Sequence, residues 1–469
     1  MFSFTPLIDR EIKKPIYQQL YEYIKEQILN GFIVGGTKLP SIRKLSKELN
    51  LSINTVEGAY EQLLAEGYID SISRVGYVVV DINLKFYKPT VLIENKRIEC
   101  ADLKYKFDLS TKSRDVSNYN INTWKRIENS IMNEDLQDLL SYGDPQGERE
   151  LREEIAKYVY ETRGAYCSAD QIIIGAGTQY CLSLLCQMLS PFYDTVAMEE
   201  PGSNWIRFIF ERYQFLTKPV AYEHKGLNIK ELESSNAKIV FVTPSHQMLK
   251  GTIMPVANRI ELLNWAYEQN GIIIEDDYDS EVKYLANSIP ALKSLDKSDH
   301  VVYLGSFSKI FIPSIRVSYM MLPKWLINIY SEKYSLYENT TSKLHQKTLA
   351  RFIKEGYWQR HVQKMRRYYI KKYRCINQAV DTYFKDKVNI ISINSGLSLL
   401  MEINTSESET ELVARARAAG IKIIPVSVYY AKHIQFQQMG IPQILLSFRG
   451  IPIESIEPAI KLLSEVWFG

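Results

Sequence analysis

The sequence predicts a multidomain chain: an N-terminal α+β winged helix-turn-helix, a large α/β domain on a doubly wound parallel sheet, and a smaller α+β domain. Three observations carry this. The 469 residues exceed one compact unit, since a domain takes roughly 150. The first eighty residues carry three short helical stripes and a hairpin pattern. From residue 171 onward, Val/Ile-rich runs alternate with amphipathic helical patterns, as they do where parallel strands are buried on both faces.

Ile16, Leu20, Ile24 and Ile28 recur at every fourth position between Pro15 and Gly31, which predicts the first helix. A second is expected over Pro40 to Leu49, broken by Asn50. Ser52 offers an N-cap hydroxyl to a third, with Val56, Ala59, Tyr60 and Leu63 inward and Gly67 at its end. Helices joined by the tight Asn50, Leu51, Ser52 turn form a helix-turn-helix. Tyr68 to Ser71 and Tyr77 to Val80 flank Arg74, Val75 and Gly76 as the two strands and turn of a wing. The first domain is therefore placed at 1–80. Periodicity is lost over 81–107, read as a linker lying partly ordered against a domain, and 108–469 form the remainder.

In that remainder, buried strands are expected at Gln171 to Gly175, Thr195 to Met198, Lys238 to Val242, Gly271 to Ile274 and His300 to Leu304. Each ends in a polar or Gly-rich cluster. Ligands of open α/β sheets bind outside the carboxyl ends of the strands, so these clusters should converge on one pocket. The large domain is placed at about 135–325. The small one, at about 326–469 plus the N-terminal part, begins with a Tyr/Lys/Arg-rich helical stretch through Tyr373. Strands at Asn389 to Ser392, Leu397 to Ile403, Ile421 to Pro425 and Gln443 to Phe448 follow.

Hydrophobic residues at 46% and charged residues at 24% allow a real core and exclude wholesale disorder. No apolar run approaches the roughly 18 residues of a membrane span, and Asp9, Arg10 and Glu11 stand where a secretory signal would be apolar. A cytoplasmic protein with no membrane partner is expected. Five cysteines without a CxxC pair indicate neither a disulfide framework nor a metal site. A net charge of +3 at first argues against nucleic acid. Between Gly36 and Tyr60, however, Lys38, Arg43, Lys44 and Lys47 oppose only Glu48 and Glu57.

The chemistry lies at the strand ends. Lys309 follows a buried strand in Ser306-Phe307-Ser308-Lys309, with Pro313 and Arg316 beyond. A lysine between hydroxyls and an arginine can form a Schiff base while its neighbours hold an anion. A surface lysine at a helix start is the plain alternative. Asp276 and Tyr278, ending the preceding strand, decide between them: a buried acid needs a cation and a buried phenol an acceptor. Pyridoxal 5'-phosphate supplies both, a pyridinium N–H for Asp276 and a ring oxygen for Tyr278.

Several motifs extend this. They are Leu39-Pro40-Ser41-Ile42-Arg43, Asn54-Thr55-Val56, Ala59-Tyr60-Glu61-Gln62-Leu63 with Glu66-Gly67-Tyr68, and Tyr142-Gly143-Asp144-Pro145-Gln146-Gly147. Thr243-Pro244-Ser245-His246-Gln247, Glu275 to Glu281, and Gly305 to Lys309 follow in order. On these residues the chain resembles the MocR/GabR group of bacterial transcription regulators: a GntR-type winged helix fused to a fold-type I, pyridoxal phosphate-dependent aminotransferase-like domain. The resemblance implies Lys309 as the aldimine lysine, Asp276 on the pyridine nitrogen and Tyr278 on the ring hydroxyl. It implies Ser306, Ser308, Arg316, Gly177 and Thr178 around the phosphate, His246 and Gln247 near the cofactor, and Tyr142 reaching the neighbouring subunit of a homodimer. There are departures. Ser203 stands where the group carries a stacking aromatic, with Trp205 nearby as a substitute, and Leu249 and Ser314 replace a proline and a glycine. Leu445 stands where many aminotransferases hold a substrate carboxylate with arginine, and Arg449 is the candidate effector ligand in its place.

For the DNA half, the second helix of the motif enters the major groove. Ser52, Ile53, Asn54, Thr55 and Glu57 would face a double-stranded operator, with Arg43 ahead of them and Arg74 on the wing. Ile53 replaces an arginine common in relatives, favouring thymine-methyl contact over guanine. The function implied is a transcription regulator sensing pyridoxal phosphate or a small amine or amino acid through an aldimine at Lys309, without net turnover. An active aminotransferase with an accessory DNA-binding module is the alternative.

Overall fold

A computed structural model describes residues 8–9, 13–82, 105–111, 121–134, 136–223, 226–279, 281–282, 289–391, 396–431 and 440–469. The predicted linker lies largely outside them. The chain falls into two compact units, Met1–Asp102 and Leu103–Gly469.

The first unit is built as its periodicity predicts. Helices α1 (Ile16–Leu29), α2 (Ile42–Leu49) and α3 (Ile53–Ala65) precede strands β1 (Ile69–Ile72) and β2 (Gly76–Val79). Helix α2 starts two residues later than expected because Ser41 is its cap, its Oγ accepting from the Lys44 N–H at 3.3 Å. Ser52 caps α3 through the Thr55 N–H at 3.1 Å. Asn50, at φ 50°, ends α2 in the left-handed region that asparagine tolerates. Leu20, Ile24, Leu45, Val56, Ala59, Tyr60 and Leu63 are all sealed from solvent and form the unit's own core. Burying each large apolar side chain contributes about 1.5–3 kcal/mol. Strands β1 and β2 pair antiparallel from Ile69↔Val79 to Ile72↔Gly76, and the turn places Arg74 at φ 64°.

The second unit holds an eight-stranded sheet. Its strands in chain order are β3 (Ile172–Gly175), β4 (Thr195–Glu200), β5 (Leu216–Glu223), β6 (Gly226–Leu227), β7 (Ile239–Val242), β8 (Ile272–Asp276), β9 (Val301–Ser306) and β10 (Ser318–Met321). Their order across the sheet is β3-β10-β9-β8-β7-β4-β5-β6. Strands β4, β7, β8 and β9 run parallel, as predicted, and β5, which was not predicted, runs parallel beside β4. The sheet as a whole is mixed, because β10 is antiparallel to both β9 and β3, and β6 to β5. A parallel return needs a crossover of a dozen or more residues. The segment between Ser306 and Ser318 is shorter, so the chain turns back. Neither β10 nor β5 carries a Val/Ile run, and Pro219 interrupts β5, which explains their absence from the sequence reading.

The helical stretch expected after Trp325 is three helices, Lys324–Lys333, Lys343–Lys354 and α5 (Tyr357–Tyr383), interrupted at Gly356 with φ 75°. Helix α4 (Thr178–Leu189), ahead of these in the chain, follows β3. A second sheet, in the order β11 (Val388–Ile390), β12 (Ser398–Ile403), β14 (Gln443–Ser447), β13 (Ile424–Pro425), is antiparallel throughout. Phe107–Asp108 pairs with Ile421–Lys422, so the start of this unit joins its C-terminal part.

Candidate functional site

The carboxyl ends of the parallel strands open on one cavity of about 330 Å³. Thr178 enters it from the start of α4, His246 from beyond β7, Asp276 from the end of β8, and Ser306, Ser308 and Lys309 from the end of β9. The topology dictates this meeting, because parallel neighbours finish on the same edge.

On its floor, Asp276 is buried, and its carboxyl is pushed up to about 8, by burial first and by Asp277 next, against the opposing pull of Lys309. Lys309 Nζ lies 4.5 Å from the centre of the Tyr278 ring. The Tyr278 hydroxyl is 2.7 Å from His246 Nδ1, and the same nitrogen is 3.0 Å from Asp279 Oδ1. Burial, then Asp279, drives the phenol's pKa well up, so it stays protonated. The His246 ring has room because residue 396 is glycine: a Cβ there would stand 2.4 Å from Cε1.

At the other end is an anion cradle. Gly177, at φ 93°, N-caps α4, and Thr178 at the start of that helix lines the cavity. Arg316 Nη2 donates to the Ala176 carbonyl at 3.3 Å, and a Cβ on Gly177 would stand 2.0 Å from that nitrogen. Ser306 Oγ meets Ser318 Oγ at 2.8 Å and accepts from the Ser308 N–H at 3.3 Å. The buried Ser308 Oγ has no hydrogen-bond partner among the described residues. Such a hydroxyl costs about 1–3 kcal/mol unless a ligand satisfies it. Main-chain N–H groups, hydroxyls and a guanidinium at one end, with a buried acid at the other, match a phosphate and a ring nitrogen respectively.

Two expected residues stand elsewhere. Gln247 is fully buried, but its amide staples its own loop: Nε2 donates to the Pro201 carbonyl at 2.8 Å, and Oε1 accepts from the N–H groups of Leu249 and Lys250. Tyr142 is 87% exposed and does not line the cavity of its own chain. Trp205 and Leu445 do line it, and so does Arg449, which is buried and donates from Nη2 to the carbonyls of Ser308 and Lys309. Sequence reasoning missed Ser318, which bridges Ser306 and, at 3.5 Å, Thr178. It also missed Arg163, whose Nε meets Asp277 Oδ2 at 2.7 Å behind Asp276. The doubled Asp276-Asp277 was the signal for a buried cation, but nothing local named which one.

In the first unit Arg43, Ile53, Asn54, Glu57 and Arg74 are exposed. The Ser52 hydroxyl is spent on its cap and on Thr55 Oγ1 at 2.7 Å.

Comparison with known proteins agrees with both halves. Residues 16–79 match the family "Bacterial regulatory proteins, gntR family", and residues 107–437 match "Aminotransferase class I and II". The chain is similar to the uncharacterized HTH-type transcriptional regulator YdeL of Bacillus subtilis, at 38% identity over 99% of both chains. It is also similar to the probable rhizopine catabolism regulatory protein MocR of Rhizobium meliloti, at 29% identity over 97% of this chain and 94% of the other. Among solved structures, the kynurenine aminotransferase of Pyrococcus horikoshii has the same fold, with a TM-score of 0.68 and 22% identity, over 77% of this chain and 90% of that one. Among the described residues, no helix is long and apolar enough to cross a membrane.

Proposed function

This chain belongs to the MocR/GabR group of transcription regulators, a gntR-family head joined to a class I and II aminotransferase domain, and on that premise we propose that its second unit holds pyridoxal phosphate at Lys309 and reports a small amine to the head. The observation that carries this is the pairing of Lys309, above Tyr278 and beside the buried Asp276, with an anion cradle at the far end of one cavity. Bound there, the cofactor supplies an electrophilic carbon that a primary amine can attack. Asp276 would hold the ring nitrogen, its burial favouring a shared proton over an isolated charge. Tyr278, oriented by His246, would donate to the ring oxygen. The N–H groups of the first turn of α4, with Thr178, Ser306, Ser308 and Arg316, would hold the phosphate.

Two such chains in a homodimer, with Tyr142 of each reaching across, would set two heads on a repeated operator. Arg43 and Arg74 would hold the phosphate backbone, while Ile53, Asn54 and Glu57 at the exposed start of α3 would face base edges. Binding of an amine beside Lys309 would change what the cavity holds, and the equilibrium of such a dimer would shift by the amine's differential affinity for the two states. Turnover is not required for that.

The test uses purified full-length protein reconstituted with pyridoxal phosphate. Amines are titrated while visible absorbance and retention of DNA from upstream of its own gene are followed together. Coincident changes are expected. A visible band that survives Lys309→Ala would remove the cofactor assignment. Steady release of a keto product at constant DNA affinity would establish the enzyme instead.

A further inference from the structure

The main chain that carries Lys309 is gripped at three consecutive carbonyls. Arg449 Nη2 donates to the carbonyl oxygen of Ser308 at 3.2 Å and to that of Lys309. His361 Nε2 lies 2.7 Å from the carbonyl oxygen of Ile310. Burial pushes the His361 pKa down, so the ring is neutral and its Nε2–H donates. The grip is backed from behind, since Lys372 Nζ donates to the carbonyl of Arg449 at 3.1 Å and stands 4.7 Å from the centre of the Tyr368 ring.

All three gripping side chains are buried: Arg449 and His361 are each 3% exposed and Lys372 not at all. Burying a guanidinium and an ammonium is expensive unless hydrogen bonds are made in return. Here the guanidinium's bonds go to main-chain carbonyls in the turns between β9 and β10, where no regular ladder satisfies them, and the ammonium's goes to the Arg449 carbonyl just beyond β14. His361 and Lys372 both stand on α5, three turns or about 16 Å apart on one face. Arg449 stands just beyond β14, an inner strand of the small sheet that also carries Leu445. The turn bearing Lys309 is therefore fastened to the C-terminal part of the unit and not only to the sheet it leaves.

We propose that Arg449, His361 and Lys372 form a clamp that sets where Lys309 points, with Arg449 as its positioning residue, so that movements of α5 and β14 change the reactivity of the lysine. The inference rests on the assignment of pyridoxal phosphate to Lys309 and deepens it. In the condensation concerned, the neutral lysine nitrogen bonds to the aldehyde carbon, and the aldehyde oxygen leaves as water with the two amine hydrogens. The rate depends on the angle at which the nitrogen is presented, and a misplacement of about 1 Å costs as much as 100-fold. Arg449 then serves the turn, and the carboxylate of an effector is not what holds its Nη2.

The experiment uses the full chain freed of cofactor, with pyridoxal phosphate itself as the probe. The rate of condensation is read from the visible band, and the geometry of the bound chromophore from its visible circular dichroism at full occupancy. Arg449→Met should slow condensation at least about tenfold and at least halve the dichroism per bound chromophore, while far-UV dichroism stays unchanged. Arg449→Lys, which keeps the charge but loses the planar fork and some reach, should fall between. His361→Leu removes the second grip from outside the cavity and should act in the same direction, so the proposal stays testable even if Arg449→Met does not fold. Rates and dichroism within twofold of the unaltered chain in the folded variants would overturn it. So would a defect confined to amines that carry a carboxylate, which would return Arg449 to the role of effector ligand. Lys309→Ala separates the two levels. If the band persists without the lysine, the cofactor assignment falls. If the band needs the lysine but ignores Arg449 and His361, only the clamp falls.

Discussion

Burial, and then Asp277, oppose the charge of Asp276 and push its carboxyl up to about 8. In the unfolded chain it ionises near pH 4. An acid with a raised folded pKa binds more protons folded than unfolded between those values, so its contribution to stability falls as pH rises from about 4 to 8. The cofactor-free Asp276→Asn protein should therefore melt higher than the unaltered chain at pH 8, by about 2 °C or more, and the gain should shrink at pH 5. Thermal melts at both pH values check it; an equal shift at both would remove the buried-acid account. Leu249 and Leu445, which pack on Leu400 and Val426 beside Tyr429, form an apolar wall. A carboxylate set against that wall loses hydration without gaining a cation from it. Isoamylamine should accordingly half-saturate the spectral change at a concentration at least about tenfold below that of leucine, which differs by its carboxylate alone and would have to recover the about 1.4 kcal/mol that a factor of ten represents. Lys309, Asp276 and Tyr278 were legible in the sequence because each follows the end of a short apolar run by two to five residues. Ser318, Arg163 and His361 were not, since each meets its partner across 12, 114 or 51 positions, and no local pattern encodes that distance.

At the scale of elements, α3 separates stability from recognition within one helical turn. The Ser52 hydroxyl is bonded to the Thr55 N–H, so Ser52→Ala should cost about 1 kcal/mol of stability in the first unit. Its effect on DNA should be no larger than the unfolding it causes. Arg43 is exposed on α2 with no such duty. Arg43→Ala should leave the melting temperature alone, weaken binding evenly across operator sequences, and reduce the dependence of log Kd on log salt by about one unit. Melts and a salt series distinguish the two, and a sequence-selective loss in Arg43→Ala would mean that it reads a base. Helices and the Val/Ile-rich parallel strands were predictable here because periodicity and caps are local. Strand β10 was not, because its direction follows from the shortness of the turn before it, a constraint of the whole sheet.

Over the whole molecule, a sum of +3 in 469 residues conceals a head whose recognition segment carries four cations against two acids. The charge that binds DNA is set by the surface presented and not by the chain's total. The first unit has its own sealed core and its own helix caps. If two heads act together, the second binding event is intramolecular, and its effective concentration is set by the span between heads. Full-length protein should then bind a repeated operator about 100-fold or more tighter than residues 1–82 alone bind it. Inserting half a helical turn of DNA, about 5 base pairs, between the repeats should remove most of that gain, because it turns one half-site to the opposite face of the duplex. Quantitative gel-shift titrations on the three combinations test this. Equal affinities for the full chain and the head would show that each head binds on its own. The aminotransferase-like unit would then act on transcription by some route other than the geometry of a pair.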